Sequence, residues 1–241
     1  MAAAAVAVAA AAAGLAACGG AAPSGPASSR PASSGPAPTG LASPRPAAAT
    51  IAAMQAAVAA ARSVHLNGTL TGAAGQAVGL DVGLTRSGGL AGTITQGGVP
   101  LSIIDAAGTV YIKATRAFLA ELDVSASICT VMCGRYVAMS SAKGDQLARE
   151  LSMPQMLQSV TGSLPAFTRT GTQTINGQLA QVLHGADGST LAVAATGTPY
   201  PVEAISPRGQ RGRLGFSQWN SVPLPAPPPA SQVINLSKLG G

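Results

Sequence analysis

The chain has 241 residues, of which only 9% are charged, and its formal net charge is +6. Ordinary soluble domains carry roughly 25% charged residues, and 14 thinly spread basic residues argue against a nucleic-acid binder. Mean hydropathy is +0.34, but beyond the first residues no run approaches the ~18 apolar residues of a spanning helix, which excludes a polytopic membrane protein. Two His and three Cys offer little material for catalysis or metal binding. We therefore predict no catalytic residue, no metal and no cofactor, and do not expect an enzyme.

Residues 1–17 are predicted to be a lipoprotein signal peptide. They form an Ala-rich apolar run that ends in small residues, which is typical of export signals. Leu15, Ala16 and Ala17 before Cys18 fit the bacterial lipobox, after which the cysteine carries acyl chains such as palmitate. The alternative is a secreted protein cleaved after Ala17 with an incidental cysteine. No Lys or Arg precedes the run, so the true start of the chain stays open.

Residues 18–49 are predicted to comprise the acylated Cys18 and a disordered tether. The tether is rich in Pro, Ser, Ala and Gly and has no apolar periodicity, so it cannot offset the entropy of ordering. At about 3.1 Å per residue it extends to roughly 90 Å. Two or more acyl chains anchor a protein stably, and the expected location is the extracytoplasmic face of the cell membrane, lipid-anchored.

Residues 50–241 are predicted to fold as a single α+β domain. Thr50 is expected to cap an amphipathic helix over 51–62, which presents Met54 and Val58 on one face. Further helices are predicted at 115–123 and 142–160, the latter divided near Pro154. Short alternating runs broken by Gly predict strands, with Asn176-Gly177 as a hairpin turn: 64–71, 78–86, 90–96, 99–105, 109–114, 166–176, 178–185, 189–196, 200–206, 212–219 and 232–236.

Cys129 and Cys133 remain as a pair once Cys18 is acylated. Their spacing is not the C-x-x-C of redox proteins, and no second pair or nearby His completes a zinc site. In an oxidising compartment we expect a local disulfide, the alternative being free or catalytic thiols.

Three other clusters of polar residues are interpreted as structural. His184, Asp187 and Ser189 have the residue types of a catalytic triad but lie in an apparent hairpin turn, without a G-x-S-x-G motif. His65, in or beside a strand, is expected to be solvated or hydrogen-bonded. A basic loop is interpreted as a solvated turn, with contact to anionic headgroups or wall polymers as the alternative: Arg208, Arg211 and Arg213.

Four short segments, taken in order with the lipobox, resemble a known family. They are Ser63-Val64-His65, the strand 109–114, the hairpin 174–178 and the segment 214–220. They resemble actinobacterial LppX/LprG-type cell-envelope lipoproteins, whose fold is akin to the LolA carrier. The resemblance implies a large curved antiparallel sheet, a half-barrel with helices over its concave face. It also implies an apolar cavity there that accommodates the acyl chains of lipids or lipoglycans.

Met residues around the 142–160 helices are our candidates for the cavity wall, because thioethers adapt to variable apolar ligands. The candidates are Met132, Met139, Met153, Met156 and Leu157. Small strand residues such as Ala192 or Ala194 are compatible with a void above the sheet. The alternatives are that the methionines form ordinary core and that the Ala and Gly content reflects genomic base bias. The sequence thus predicts a monomer that binds or transfers lipids, or else docks a membrane or cell-wall partner through an exposed face.

Overall fold

The computed structural model describes residues 46–234, apart from 73–74, 122–125, 140, 162–163 and 208–210. The signal peptide, Cys18, the predicted tether up to residue 45, Arg208 and the end of the predicted 232–236 strand lie outside the described residues. The described helices are α1 (Ala47–Ala60), α2 (Arg116–Glu121), α3 (Cys129–Met132), α4 (Ser141–Glu150) and α5 (Met153–Thr161). None of these helices is both long and apolar enough to cross a membrane.

The strands form one twelve-stranded open sheet in the described part of the chain. They are β1 (Ser63–Thr71), β2 (Ala77–Thr85), β3 (Leu90–Gln96), β4 (Val99–Ala106), β5 (Thr109–Lys113), β6 (Tyr136–Ala138), β7 (Phe167–Ile175), β8 (Gln178–Gly185), β9 (Thr190–Ala194), β10 (Pro201–Ser206), β11 (Gly212–Ser217) and β12 (Val233–Ile234). Their spatial order is β12-β6-β5-β4-β3-β2-β1-β11-β10-β9-β8-β7. Every neighbouring pair is antiparallel except β12 and β6, which are parallel. The predicted large antiparallel sheet with covering helices is confirmed, with this one parallel edge.

Helix α1 begins earlier than the sequence predicted. It begins at Ala47, directly after Pro46, because the three alanines before Thr50 are strong helix formers. The assignment of Thr50 as the N-cap is therefore wrong, and so is the assignment of residues 47–49 to the disordered tether. Thr50 lies inside the helix, where its side chain is buried.

The C-terminal segment crosses one face of the sheet after β11. Val222 lies close above Gly83, and Pro225 lies close to Gly89, so a side chain at either glycine would collide with the segment. The Val222 backbone N–H donates to the Ser63 hydroxyl at 3.1 Å. The segment thus spans from β11, inside the sheet, to β12 at its edge.

Candidate functional site

The helix-covered face of the sheet is defined by strand register. Leu66 lies opposite Val82 on one side and Phe216 on the other, and directly opposed residues share a face. All three side chains are buried in the main core cluster. The same cluster includes Met54 and Val58 of α1, so this is the face that the helices cover.

Four of the five candidate lining residues lie together on this face. Met153 and Leu157 of α5 are almost fully buried, with 1% and 2% of their surface exposed. Met139 and Met156 are half-buried against the same core. The structure therefore brings a thioether-rich surface of α5 and the β6–α4 connection against the sheet. In the described conformation these side chains are packed as core.

Met132 lies elsewhere. It packs in a second apolar cluster with Leu119, Cys129 and Val137, beside β6. Its position in α3, before β6, separates it from the other methionines. The sequence grouped it with them because they are neighbours in the chain, and proximity in sequence did not predict which core each residue joins.

Two hydrogen bonds attach the helices to each other and to the sheet. The Thr50 hydroxyl of α1 donates to Gln181 Oε1 of β8 at 3.1 Å, and both residues are buried. The Gln55 side-chain amide of α1 donates to the Thr161 carbonyl of α5 at 3.4 Å. Buried polar groups need such partners, and a buried Gln on an apolar sheet face is the sequence signal that could have indicated this contact.

Cys129 and Cys133 form a disulfide, with their Cα atoms 4.7 Å apart. Its loop contains the short helix α3 and precedes β6. Ile128 and Val131, next to and within the loop, are 40% and 55% exposed. The disulfide thus constrains a short segment that presents two large apolar side chains to solvent.

The small residues of β9 lie on the opposite face from the helices. Ala194 is opposite Ala180 and Ala192 is opposite Val182, and both β9 alanines belong to a separate small cluster. Val193 instead joins the core under the helices. The expectation that Ala192 or Ala194 leaves space on the concave face is therefore wrong.

The turn with Asp187 and Ser189, and His65, are hydrogen-bonded features of the sheet. The Asp187 carboxylate accepts hydrogen bonds from the Ser189 backbone N–H at 3.0 Å and from its hydroxyl at 2.6 Å, as expected for a turn. His65 lies between Asp81, at 2.8 Å from its Nε2, and Ser217, at 3.4 Å from its Nδ1. His65 is thus hydrogen-bonded, as predicted.

No family model matches this sequence, and no curated protein matches it. The fold is similar to the crystal structure of LprF from Mycobacterium bovis, with a TM-score of 0.51 and 17% identity, over 76% of this chain and 98% of that one. A further match, with a TM-score of 0.47 and 16% identity, is lipoprotein LppX from Mycobacterium tuberculosis, over 72% of this chain and 94% of that one. At this identity the similarity to LprF concerns the fold: the domain has an LppX/LprG-type fold.

Proposed function

We propose that this chain is an acyl-anchored cell-envelope lipoprotein whose domain binds or transfers a lipid or lipoglycan, taking its acyl chains between the helices and the sheet. The observation that carries the proposal is the combination of a lipobox-like Leu15-Ala16-Ala17-Cys18 with an LppX/LprG-type fold. Neither feature requires covalent chemistry of the domain. The activity is non-enzymatic burial of hydrocarbon.

The energetic basis of binding is apolar burial. Each CH₂ group removed from water contributes about 0.8 kcal/mol, so a long acyl chain supplies enough free energy to replace core contacts. In the described conformation Met153 and Leu157 fill the space against the sheet. Ligand entry therefore requires the helices to separate from the sheet, and flexible Met side chains suit a surface that repacks around variable chains.

The anchor places this domain at the extracytoplasmic face of the membrane. Acyl chains on Cys18 hold the protein there, and the Pro-rich tether that precedes α1 lets the domain reach away from the bilayer. The Cys18→Ser variant is expected to lose acyl labelling and to be released into the medium. Continued fractionation of this variant with membranes, together with acyl chains, would contradict the anchor.

A second candidate function is docking rather than carriage. The exposed Ile128 and Val131 beside the Cys129–Cys133 disulfide favour it, because large apolar side chains held at a surface indicate an interaction site. In this alternative the protein contacts a membrane or cell-wall partner through that loop and carries no lipid.

Mass spectrometry of organic extracts distinguishes the two functions. The chain is purified from its native host as the Cys18→Ser variant, so that any extracted lipid is a ligand and not the anchor. A stoichiometric acyl lipid supports carriage. A folded protein that yields no lipid, but whose membrane or wall binding is lost in the Ile128→Ser/Val131→Ser variant, supports docking instead.

A further inference from the structure

Glu203 of β10 is a buried carboxylate on the face of the sheet away from the helices. It lies opposite Gly215 of β11 on one side and Ala192 of β9 on the other, so its cross-strand neighbours are small. Only 8% of its side chain is exposed. A buried carboxylate is costly unless it is paired, and the residue that pairs with it is Arg213 of β11.

The ion pair fixes the Arg213 guanidinium in an exposed position. Its Nε donates to Glu203 Oε2 at 2.6 Å, and a terminal nitrogen contacts the same oxygen. A guanidinium has five N–H donors, and 66% of the Arg213 side chain remains exposed. Glu203 therefore holds the guanidinium through its Nε and one terminal nitrogen, and the rest of the group is directed to solvent.

Arg213 borders an open cleft of about 490 Å³. Thr69, Thr71 and Arg211 also line this cleft, together with apolar surface from Ala77 and Ile205. Among the described residues that line it, none is acidic. The cleft thus combines two guanidinium groups and two hydroxyls with a hydrocarbon wall.

Backbone geometry brings the two arginines to the same cleft. They are two residues apart in an extended segment, so their side chains point in the same direction. The Thr71 backbone N–H donates to the Arg211 carbonyl at 2.6 Å, which extends the pairing of β1 with β11. Between the arginines, Gly212 lies so close to β1 that an added Cβ would be 2.0 Å from the Thr69 carbonyl oxygen.

We propose that this cleft binds the phosphate group of an anionic amphiphile, with the adjoining hydrocarbon against Ala77 and Ile205. Guanidinium groups recognise phosphate oxygens through paired charge-assisted hydrogen bonds, and the Thr69 and Thr71 hydroxyls supply further donors. The cleft is distinct from the helix-covered core. A result that refutes binding in the cleft therefore does not refute the proposed lipid cavity, and the reverse also holds. The same oxyanion chemistry would also recognise free phosphate, which the experiment distinguishes.

Calorimetric titration tests the site on the full chain carrying Cys18→Ser. The probes are dihexanoyl phosphatidylglycerol below its critical micelle concentration, dihexanoyl phosphatidylcholine and inorganic phosphate. We expect phosphatidylglycerol to bind and the other two to bind at least about tenfold more weakly, since one lacks net negative charge and the other lacks hydrocarbon. Equal binding of inorganic phosphate, or no binding of phosphatidylglycerol, would overturn the proposal.

Matched variants separate the cleft from general electrostatic attraction. Arg211→Gln removes one cleft charge, and Arg213→Lys keeps the ion pair with Glu203 but loses the planar fork. Each is expected to weaken phosphatidylglycerol binding about tenfold. Arg135→Gln removes the same charge from an exposed position before β6 and should leave binding within about twofold. An equal loss in Arg135→Gln, or none in the two cleft variants, would show that the cleft is not the site.

Discussion

Fixing α4 to the sheet tests whether ligand entry requires the helices to move. A Cβ atom added at Gly144 of α4 would lie 3.9 Å from the Cβ of Val110 in β5, and disulfides join Cβ atoms about 3.8 Å apart. The Gly144→Cys/Val110→Cys variant is therefore expected to form a disulfide without displacement of the backbone. Its oxidised form holds α4 on the helix-covered face, and its reduced form releases it.

The stabilisation follows from the length of the closed loop. A loop of roughly 35 residues corresponds to about 4 kcal/mol on the loop-entropy model. For a domain of this size the oxidised form should melt about 8–16 °C above the reduced form. Comparing two redox states of one variant cancels the loss of the Val110 methyl groups. Reductant also breaks the native Cys129–Cys133 disulfide. Melting the parent protein with and without reductant measures that contribution separately.

Uptake of a fluorescent fatty acid measures the functional consequence. The oxidised variant should take up the probe far more slowly than its reduced form, while the parent should be nearly indifferent to reductant. Unchanged uptake by the oxidised variant would refute entry between α4 and β5. Failure of peptide mapping to find the Gly144→Cys/Val110→Cys linkage would refute the packing of α4 on this strand.

Three further results are expected. Non-reducing peptide mapping of freshly isolated protein should recover Cys129 linked to Cys133, and recovery of both as alkylated thiols would contradict this. Leu157→Ala, which empties space in the core under α5, should lower the free energy of unfolding in urea by about 2–5 kcal/mol, whereas Gln158→Ala on the exposed side should change it by no more than about 0.5 kcal/mol. Burial raises the pKa of Asp105 above its ordinary value of 3.8, so ionisation of Asp105 destabilises the fold above that pH. Asp105→Asn should therefore stabilise the protein at neutral pH and lose this advantage below about pH 3.8. An equal gain in stability at neutral pH and below pH 3.8 would refute the claim that ionisation of Asp105 destabilises the fold.

The sheet was predictable from local signals because they agree with the tertiary structure. The Asn176-Gly177 turn connects β7 and β8 as expected, with both residues at positive φ. The division near Pro154 is also correct: α4 ends at Glu150 and α5 begins at Met153. Strand β6 was missed, since its three residues are too short to show an alternating pattern.

The facing of individual residues was less predictable. Alternation along β9 could not say whether Val193 or its alanine neighbours meet the helices, because a strand buried on both faces carries no polar marker. The register with β8 decides it, since Leu183 and Leu191 are opposed and both join the core under the helices. Met132 was placed in the wrong cluster for a different reason, because it was grouped with the other methionines by proximity in the chain.

Glu203 is a buried charged residue next to the proposed phosphate cleft, and the alternation of polar and apolar residues along β10 does not predict its burial. By pattern it is a polar residue on the outer side of β10, where exposure would be expected. Pairing with Gly215 and Ala192 places it between small residues, and a register shift between Pro201 and Glu203 interrupts the pairing of β10 with β9 just before it. Because Glu203 is buried, the fold needs Arg213 as its ion-pair partner. Arg211 is exposed, and the stability of the fold does not depend on it in this way. Exchanging Arg213 for an uncharged residue would thus lower stability and ligand binding together, whereas Arg211→Gln should affect binding alone. This separation is the reason that Arg211, and not the more conspicuous ion pair, is the decisive position for testing the cleft.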